Sequence, residues 1–424
     1  MTRNITRAAV ALAFLAPGAG LAQQFNTVDT IPWPALGRFP AYQTQLPRPT
    51  EMWVQAGALH DSNLFRLSSG ADANRVLGSS DRSDTVIRAG GGIRHEQLIA
   101  GRQRLRLEAS GDQYSYHRYT QLNHVAYRLA GTWLWELGND LSGTVGYERR
   151  RRLIDLAGIQ RPIKDLITED HLFASGAYLL GPSVRLRGGV DGFKGSHSAV
   201  SGEFANSTIT TVTGGADYVT TLQNSIGVEV RQSQAKVPFQ EPVGLTLVNN
   251  EYTEKEVALV ATYIPSSQLR TTGRIGHTRR HHKDLSQRDF SGTTWRMAAD
   301  WTPLNKTGFE LALYKEPRSI IDIAATYVVV KGVSFGPRWA PTEKLVFNMA
   351  LVRETQDFAG AADRIVLGAP LQSETVRIVR FGAGWEPKRF VQLTAGFDHG
   401  IRSSNVLFRD YSYNAAMLNA KFDF

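Results

Sequence analysis

The chain has 424 residues, of which 42% are hydrophobic, a formal net charge of +9 and no cysteine. A sequence without cysteine excludes disulfides and thiolate metal sites. The hydrophobic fraction is ordinary for a soluble protein and equally ordinary for a membrane β-barrel, whose lipid face takes only every second residue, so composition leaves the class open.

The amino-terminal segment has the layout of a secretory signal peptide. Arg3 and Arg7 form a positively charged region, Ala8–Ala16 is an unbroken apolar run, and small residues lead up to Ala22. The apolar run is too short to cross about 30 Å of hydrocarbon as a helix, which disfavours a first transmembrane helix. The sequence therefore predicts export with cleavage after residue 22. Because Arg3 and Arg7 leave with the signal, the remaining chain carries +7.

Residues 23–50 are predicted to form an extended periplasmic leader. The segment contains five prolines, at positions 32, 34, 40, 47 and 49. Proline removes a backbone donor and favours polyproline-like or turn conformations, so no helix is expected here. The leader is a candidate contact for a partner or an internal plug, and a disordered tether is an equal alternative.

From residue 51 onward, apolar and polar residues alternate. Arg104–Asp112 places leucine, alanine and glycine between arginine, glutamate, serine and aspartate, and Val184–Asp191 and Val391–Asp398 repeat the pattern. A period of two indicates β-strands with one apolar and one polar face. No segment of comparable length has helical periodicity.

Eight short connections contain the Gly, Pro, Asn, Asp and Ser residues that tight turns require, and they recur about every 40 residues. They are Ile99–Gln103, Glu136–Asp140, Leu179–Ser183, Thr221–Ser225, Ile264–Gln268, Thr302–Thr307, Ala340–Lys344 and Glu386–Phe390. Longer polar segments separate them. With one strand before the first hairpin (Met52–Phe65) and one after the last (Tyr411–Phe424), the count is about 18 strands.

These features predict an all-β fold, a transmembrane antiparallel β-barrel of about 18 strands (16–18) over residues 51–424, with short periplasmic turns and longer extracellular loops. The predicted location is the bacterial outer membrane. A soluble propeller or sandwich is the alternative, but many runs reach the 9–11 residues that a tilted spanning strand needs. Aromatic residues also lie close to the short turns, where interfacial girdles occur: Trp133, Trp135, Tyr178, Tyr218, Tyr263, Trp301, Trp339 and Trp385.

In such a barrel the polar face meets a water-filled lumen. Charges on the lipid face would cost roughly 2–4 kcal/mol each near the midplane, so the alternating charged residues are placed inside. The candidate solute contacts are Arg88, Arg94, Arg104, Arg106, Arg128, Arg185, Arg187, Arg231, Arg270, Arg274, Arg296, Glu108, Glu229, Asp300 and Asp398. They either bind a hydroxyl-rich or anionic solute or pair across strands and stabilise the wall, and pairing is favoured because acid and base are nearly balanced.

Other charged clusters give weaker hypotheses. Arg149–Arg152, at a strand–loop junction, could contact lipopolysaccharide phosphates or form a solvated charge run. His277, His281 and His282 lack a clear carboxylate partner, so no metal site is predicted. The sequence holds no P-loop, GxSxG or HExxH motif. We therefore expect no enzyme activity, no cofactor and no nucleic-acid partner.

The carboxyl-terminal stretch resembles the signal by which insertion machinery recognises outer-membrane barrels. Leu418, Phe422 and the terminal Phe424 fall on one face of an alternating strand. This strand is expected to close the barrel by pairing with Met52–Phe65, since closure removes the sheet edge. Tyr411 and Tyr413 are expected at the outer aromatic level.

The stretch Leu59–Leu67, LHDSNLFRL, is the most individual in the chain. A segment of this kind in a first strand, after a proline-containing leader, resembles the EpsL-type exopolysaccharide-associated outer-membrane proteins, which are similar to the β-barrel porin 2 group. The resemblance implies a channel that secretes an exopolysaccharide, delivered by a periplasmic export partner. Lipid, lipopolysaccharide and the insertion machinery would be its other partners.

Two alternatives remain open from the sequence. The first is a passive diffusion porin for small solutes, anionic ones included, and the second is a barrel enzyme or adhesin acting through its outer loops. A long loop folded inward, such as Arg149–Asp170 or Gln232–Glu251, would form a constriction in either kind of channel.

Overall fold

A computed structural model describes residues 49–243, 246–284, 286–322, 325–359 and 372–424. The predicted signal peptide (1–22) and the predicted leader (23–50), apart from its last two residues, lie outside the described residues. Within the described chain, no helix is long and apolar enough to cross a membrane.

Eighteen strands of the described chain form one antiparallel sheet in which each strand pairs with its sequence neighbours. They are β1 (Thr50–Asp61), β2 (Asp84–Ala100), β3 (Gln103–Tyr116), β4 (His124–Leu137), β5 (Leu141–Leu153), β6 (Leu166–Leu180), β7 (Val184–His197), β8 (Ser207–Val219), β9 (Ser225–Lys236), β12 (Tyr252–Ser266), β13 (Leu269–His282), β14 (Phe290–Leu304), β15 (Thr307–Asp322), β16 (Ala325–Thr342), β17 (Leu345–Ala359), β18 (Ser373–Lys388), β19 (Val391–Ser404) and β20 (Tyr411–Asp423). Between β9 and β12, strands β10 (Gln240–Val243) and β11 (Thr246–Asn249) form a separate small hairpin.

The helices of the described chain are short and lie in the longer connections. They are α1 (Ala73–Leu77) and α2 (Leu156–Ile159), with 3-10 turns at Thr120–Leu122, Val200–Ala205 and Ser286–Arg288.

The sheet closes on itself because β1 pairs with both β2 and β20. The register with β20 runs from Trp53 opposite Asp423 to Asp61 opposite Ala415, and the Phe424 amide donates to the Met52 carbonyl at 2.8 Å. The predicted barrel and its closing pair are therefore confirmed. The first strand is shorter than predicted, since it ends at Asp61 and the chain then turns.

All eight predicted short connections join neighbouring strands at one end of the barrel. Gly101, Gly138 and Gly181 have φ of 56°, 64° and 65° in three of these turns. Residues with a Cβ rarely adopt this left-handed region, which explains glycine at these positions.

The outer surface of the barrel is apolar above these turns. Leu186 and Val190 on β7 are 44% and 52% exposed, whereas Arg185 and Arg187 on the same strand face the other way. Of the eight aromatic residues predicted to form the girdle, Trp135 is half-buried and seven are exposed: Trp133, Tyr178, Tyr218, Tyr263, Trp301, Trp339 and Trp385. Leu418, Phe422 and Phe424 belong to the same outer surface.

Candidate functional site: the barrel lumen

The lumen is lined by the polar residues of the alternating pattern. All fifteen residues predicted to face inward occupy the strand face opposite the exposed apolar one. Most of them form cross-strand ion pairs with one another or with further inward carboxylates. These pairs are the contacts that the wall-pairing interpretation describes, and each paired guanidinium is held in place by its partners.

One ladder of ion pairs crosses β2 to β5. Arg94 donates to Glu108 at 3.0 Å, and Glu108 also accepts from Arg128. Arg128 in turn binds Glu148 at 2.8 Å. A carboxylate between two guanidinium groups, and a guanidinium between two carboxylates, form a continuous polar surface that solutes in the lumen would meet.

A second ladder crosses β7 to β13. Arg187 binds Asp217 at 2.9 Å and also Glu229, although β8 lies between their strands. Glu229 accepts from Arg274 at 2.5 Å, and Arg274 binds Glu256 at 2.8 Å. These pairs reach across more than one strand because long inward side chains converge inside a closed barrel.

The remaining candidates follow the same rule at other positions. The pairs are Arg88–Asp112 at 2.9 Å, Arg106–Glu96 at 2.8 Å, Arg104–Glu96 at 3.7 Å, Arg185–Asp217 at 2.8 Å, Arg231–Glu256 at 2.7 Å, Arg296–Glu316 at 3.2 Å and Arg380–Asp398 at 2.7 Å. Arg270 and Asp300 lie directly opposite each other on β13 and β14, and both are exposed to the lumen.

The first long connection, residues 62–83, folds into the barrel. The loop buries Phe65 together with Ala73 and Leu77 of helix α1. These side chains pack against inward side chains of β1 and β2, including Leu59 and Val86. An apolar cluster inside a polar lumen has to be covered from water, and this loop covers it. One side of the lumen is therefore filled at the long-loop end.

The stretch Asp61–Leu67 is the anchor of this loop. Asp61 and Arg66 form an ion pair at 2.8 Å with side chains only 4% exposed. The Asn63 side chain donates to the Leu67 carbonyl at 2.9 Å and to the Ser412 carbonyl at 3.0 Å, which ties the loop to β20. Phe65 meets the Tyr119 ring edge-on at 4.7 Å. The most individual stretch of the sequence therefore has a structural role, because it anchors the first loop inside the barrel.

Tyr411 and Tyr413 correct one prediction. They face the lumen rather than the outer aromatic level, and they are 4% and 1% exposed. The Arg66 guanidinium lies 3.5 Å from the centroid of the Tyr413 ring, and Arg402 lies 4.3 Å from that of Tyr411. Both rings are therefore part of the seat for the first loop.

A second connection, residues 154–165 between β5 and β6, crosses the lumen. Cα atoms of its helix α2 lie within 8 Å of Cα atoms of β15. Six strands separate β6 from β15 in one direction around the ring, and nine separate β5 from β15 in the other. The loop therefore reaches nearly the opposite wall, and it lies within Arg149–Asp170, one of the two segments considered as an inward constriction. The Gln160 side chain donates to the Arg66 carbonyl at 2.8 Å, so the two inward loops also touch.

Asp165 holds the return end of this crossing loop. Its fully buried carboxylate accepts from His197 Nδ1 at 2.7 Å and from the amides of Ser198 and Ala199 at 2.9 and 3.0 Å. Burial alone would raise the pKa of Asp165, but the hydrogen bonds from His197, Ala199 and Ser198 outweigh it and hold the pKa below its usual range.

The remaining charged clusters divide between the two faces. In Arg149–Arg152, the second and fourth arginines turn inward onto Glu169, and the first and third turn outward. His277 and His281 are exposed on the outer face, whereas His282 is buried on the inner one. The three histidines cannot share a metal, and no group of metal-binding side chains occurs among the described residues.

Comparison with solved structures shows the same architecture. OccK2 (OpdF) of Pseudomonas aeruginosa matches with a TM-score of 0.50 at 10% identity, over 88% of this chain and 98% of that one. A BenF-like porin of Pseudomonas fluorescens Pf-5 matches with a TM-score of 0.50 at 9% identity, over 90% of this chain and 100% of that one. No family model and no curated protein matches the chain.

At these identities the likeness concerns the fold. The chain is an 18-stranded barrel of the kind found among outer-membrane porins, and its apolar outer band and aromatic girdle place it in the bacterial outer membrane. The resemblance to EpsL-type proteins receives no support, because no family model matches and the solved structures that share the fold carry other names.

Proposed function

We propose that the protein is a passive channel for small polar solutes. The observation that carries this proposal is the crossing of the lumen by residues 154–165, which come close to β15 and hydrogen-bond to the docked first loop. A barrel of 18 strands is wide enough for an aqueous channel. A segment stretched across it narrows the bore, and we infer that the narrowed channel admits small molecules and excludes long ones.

The same feature weighs against secretion of an exopolysaccharide. A polymer in transit needs an unbroken bore along the whole barrel, and the crossing loop would have to leave its buried contacts to provide one. Leu156 and Ala157 of α2 are only 6% and 4% exposed, so leaving would uncover apolar surface. The fold shared with a BenF-like porin supports the diffusion channel as well.

The wall chemistry suits solutes that carry both donors and acceptors. The ladders present guanidinium donors and carboxylate acceptors side by side, as in Arg94–Glu108–Arg128. Because inward acids and bases nearly balance, we infer weak selectivity between ions and better passage of hydroxyl-rich or carboxylate-bearing small molecules.

Planar-bilayer recording of the purified full chain tests the proposal. We expect stable conductance steps in the intact protein and larger steps when residues 156–163 are replaced by a short Gly-Ser linker. Liposome swelling should show passage of monosaccharides and exclusion of long oligosaccharides by the intact protein. Silent bilayers, or equal passage of long oligosaccharides, would refute a small-solute channel. A linker of the same composition in the outer connection 405–410 is the control.

A further inference from the structure

The outer face of the barrel changes character toward the long-loop end. On β12, Val257 and Leu259 are 55% and 54% exposed, and the next outward residue toward the long loops is Lys255. On β7, the outward residues Leu186 and Val190 are followed by Lys194. The apolar band therefore ends in basic side chains.

These basic residues lie at one height. Each is eight to eleven residues from the short-turn end of its strand. At about 3.3 Å per residue and a tilt of about 40°, this is roughly 20–28 Å along the barrel axis, the far edge of an apolar band about 25 Å tall. We name the set the outer collar: Arg149, Arg151, Lys194, Lys236, Lys255, Arg279, Lys315, Lys331, Arg353 and Arg377.

The collar carries a large excess of positive charge. Among the described strands, two carboxylates share its face, Asp170 at 3.4 Å from Arg149 and Asp357 at 3.3 Å from Lys331. Ten basic residues and two carboxylates leave a net excess of eight positive charges, which is close to the net charge of +7 on the chain beyond residue 22. The lumen has no comparable excess, because its arginines are matched by carboxylates.

Cross-strand register makes the contrast sharper. In the collar, like charges lie directly opposite each other: Lys255 faces Arg279, Lys315 faces Lys331, and Arg353 faces Arg377. In the lumen, directly opposed arginines such as Arg274 and Arg296 also occur, but each is bound by a carboxylate, Glu256 and Glu316 respectively. Directly opposed like charges destabilise a sheet unless an anion lies between them. Lys331 already has Asp357 beside it, but neither of the two outward carboxylates of the described strands is paired with Lys255–Arg279 or Arg353–Arg377, and these two pairs indicate an anionic ligand.

The collar is an arc rather than a ring. It spans β5 to β18, and the outward faces of the described strands β19, β20 and β1 to β4 carry no lysine or arginine. The ligand is therefore expected along the sides of the barrel away from its closing seam.

We propose that the outer collar binds the phosphate groups of an acylated, phosphorylated glycolipid of the outer leaflet, of the lipopolysaccharide class. Such a molecule combines a phosphorylated head at collar height with acyl chains that match the apolar band beneath. The pairs Lys255–Arg279 and Arg353–Arg377 each offer two cations to one phosphate.

Titration of the detergent-solubilised full chain with fluorescent lipopolysaccharide tests the proposal. Replacing one pair, as in K255Q with R279Q or R353Q with R377Q, should weaken binding roughly 30-fold. This figure multiplies the usual several-fold contribution of one basic residue at an anionic lipid surface over the two residues removed. The matched control, K306Q with K344Q, removes two charges from the short turns and should leave binding unchanged. Heat-modified electrophoretic mobility and channel conductance report that each variant is folded.

Two further arms identify the source of the phosphate. Dephosphorylated lipopolysaccharide should bind weakly, and inorganic phosphate at equal phosphate concentration should fail to compete. Wild-type affinity in both collar variants, an equal loss in the short-turn control, or full competition by inorganic phosphate would each overturn the proposal. Channel conductance is independent of this result, so failure here leaves the proposed channel function standing.

Discussion

The docking of the first loop rests on one buried ion pair, and breaking that pair gives the sharpest test of the lumen geometry. Replacing either Asp61 or Arg66 by alanine leaves the other charge buried at the same place, where both side chains are 4% exposed. Removal of one partner from a buried pair costs about 3–5 kcal/mol. Arg66→Ala additionally loses the ring contact with Tyr413, worth about 0.5–2 kcal/mol.

We expect this cost to fall on the loop rather than on the barrel, because β1 and β20 keep their ladder when residues 62–83 undock. The undocked fraction should rise by roughly two to four orders of magnitude. Proteinase K digestion with mass-spectrometric mapping would then show cleavage within residues 62–83, and open-channel current noise would increase. Arg75→Ala, an exposed change in the same loop, is the control.

The double variant decides whether the pair itself is responsible. With both Asp61 and Arg66 replaced, no charge is stranded, so the combined effect should be smaller than the sum of the two single effects. Protease resistance of both single variants equal to wild type, or strictly additive effects in the double variant, would refute the reasoning.

Three further predictions follow from the lumen and the closing strand. Arg128→Ala leaves Glu108 and Glu148 without their shared guanidinium and should shift the reversal potential toward cation selectivity. Arg151→Ala removes an outward arginine from the neighbouring strand and should leave the reversal potential unchanged. An equal shift in the two variants would contradict the inward placement of Arg128. The pKa of Asp165 is held below its ordinary value of 3.8, so the carboxylate stabilises the crossing loop fully above that value and loses this effect as the pH falls through the lowered pKa. Channel conductance should therefore rise below about pH 3.8. The Asp165→Asn variant should already have raised conductance at neutral pH and should lack this further rise in acid. Deleting Phe424, which is 62% exposed but donates its amide to Met52, should lower the amount of assembled barrel in outer-membrane fractions several-fold, and unchanged levels would argue against a terminal insertion signal.

The barrel itself was predictable from the sequence because its cause is local. A period of two fixes the face of every strand residue, so the eight turns, the strand count and the inward position of residues such as Arg128 and Glu229 followed directly. The same count assigns Tyr411 and Tyr413 to the inward face, since they share the parity of Met417 rather than that of Leu418. Their aromatic type suggested a girdle, but parity was the better signal.

The contents of the lumen were less predictable, because they depend on contacts between distant residues. Asn63 bonds the carbonyl of Ser412, 349 positions away, and no periodicity in Asp61–Leu67 announces that contact. The segment that crosses the lumen was one of two long connections proposed, and the sequence alone gave no reason to prefer residues 154–165. The position of α2 near β15 in the structure identifies residues 154–165 as the segment that crosses the lumen.

The alternation of inward and outward residues along each strand constrains how this protein can change over evolutionary time. Inserting or deleting one residue early in β7 would turn Arg185, Arg187 and Asp191 toward lipid, where a charged side chain costs more the closer it lies to the midplane, up to about 2–4 kcal/mol for arginine. Any length change within a strand therefore has to come in pairs or be absorbed by a bulge. Single-residue gains and losses are confined to the turns and the long connections, where homologues of this chain should vary in length while their strands do not.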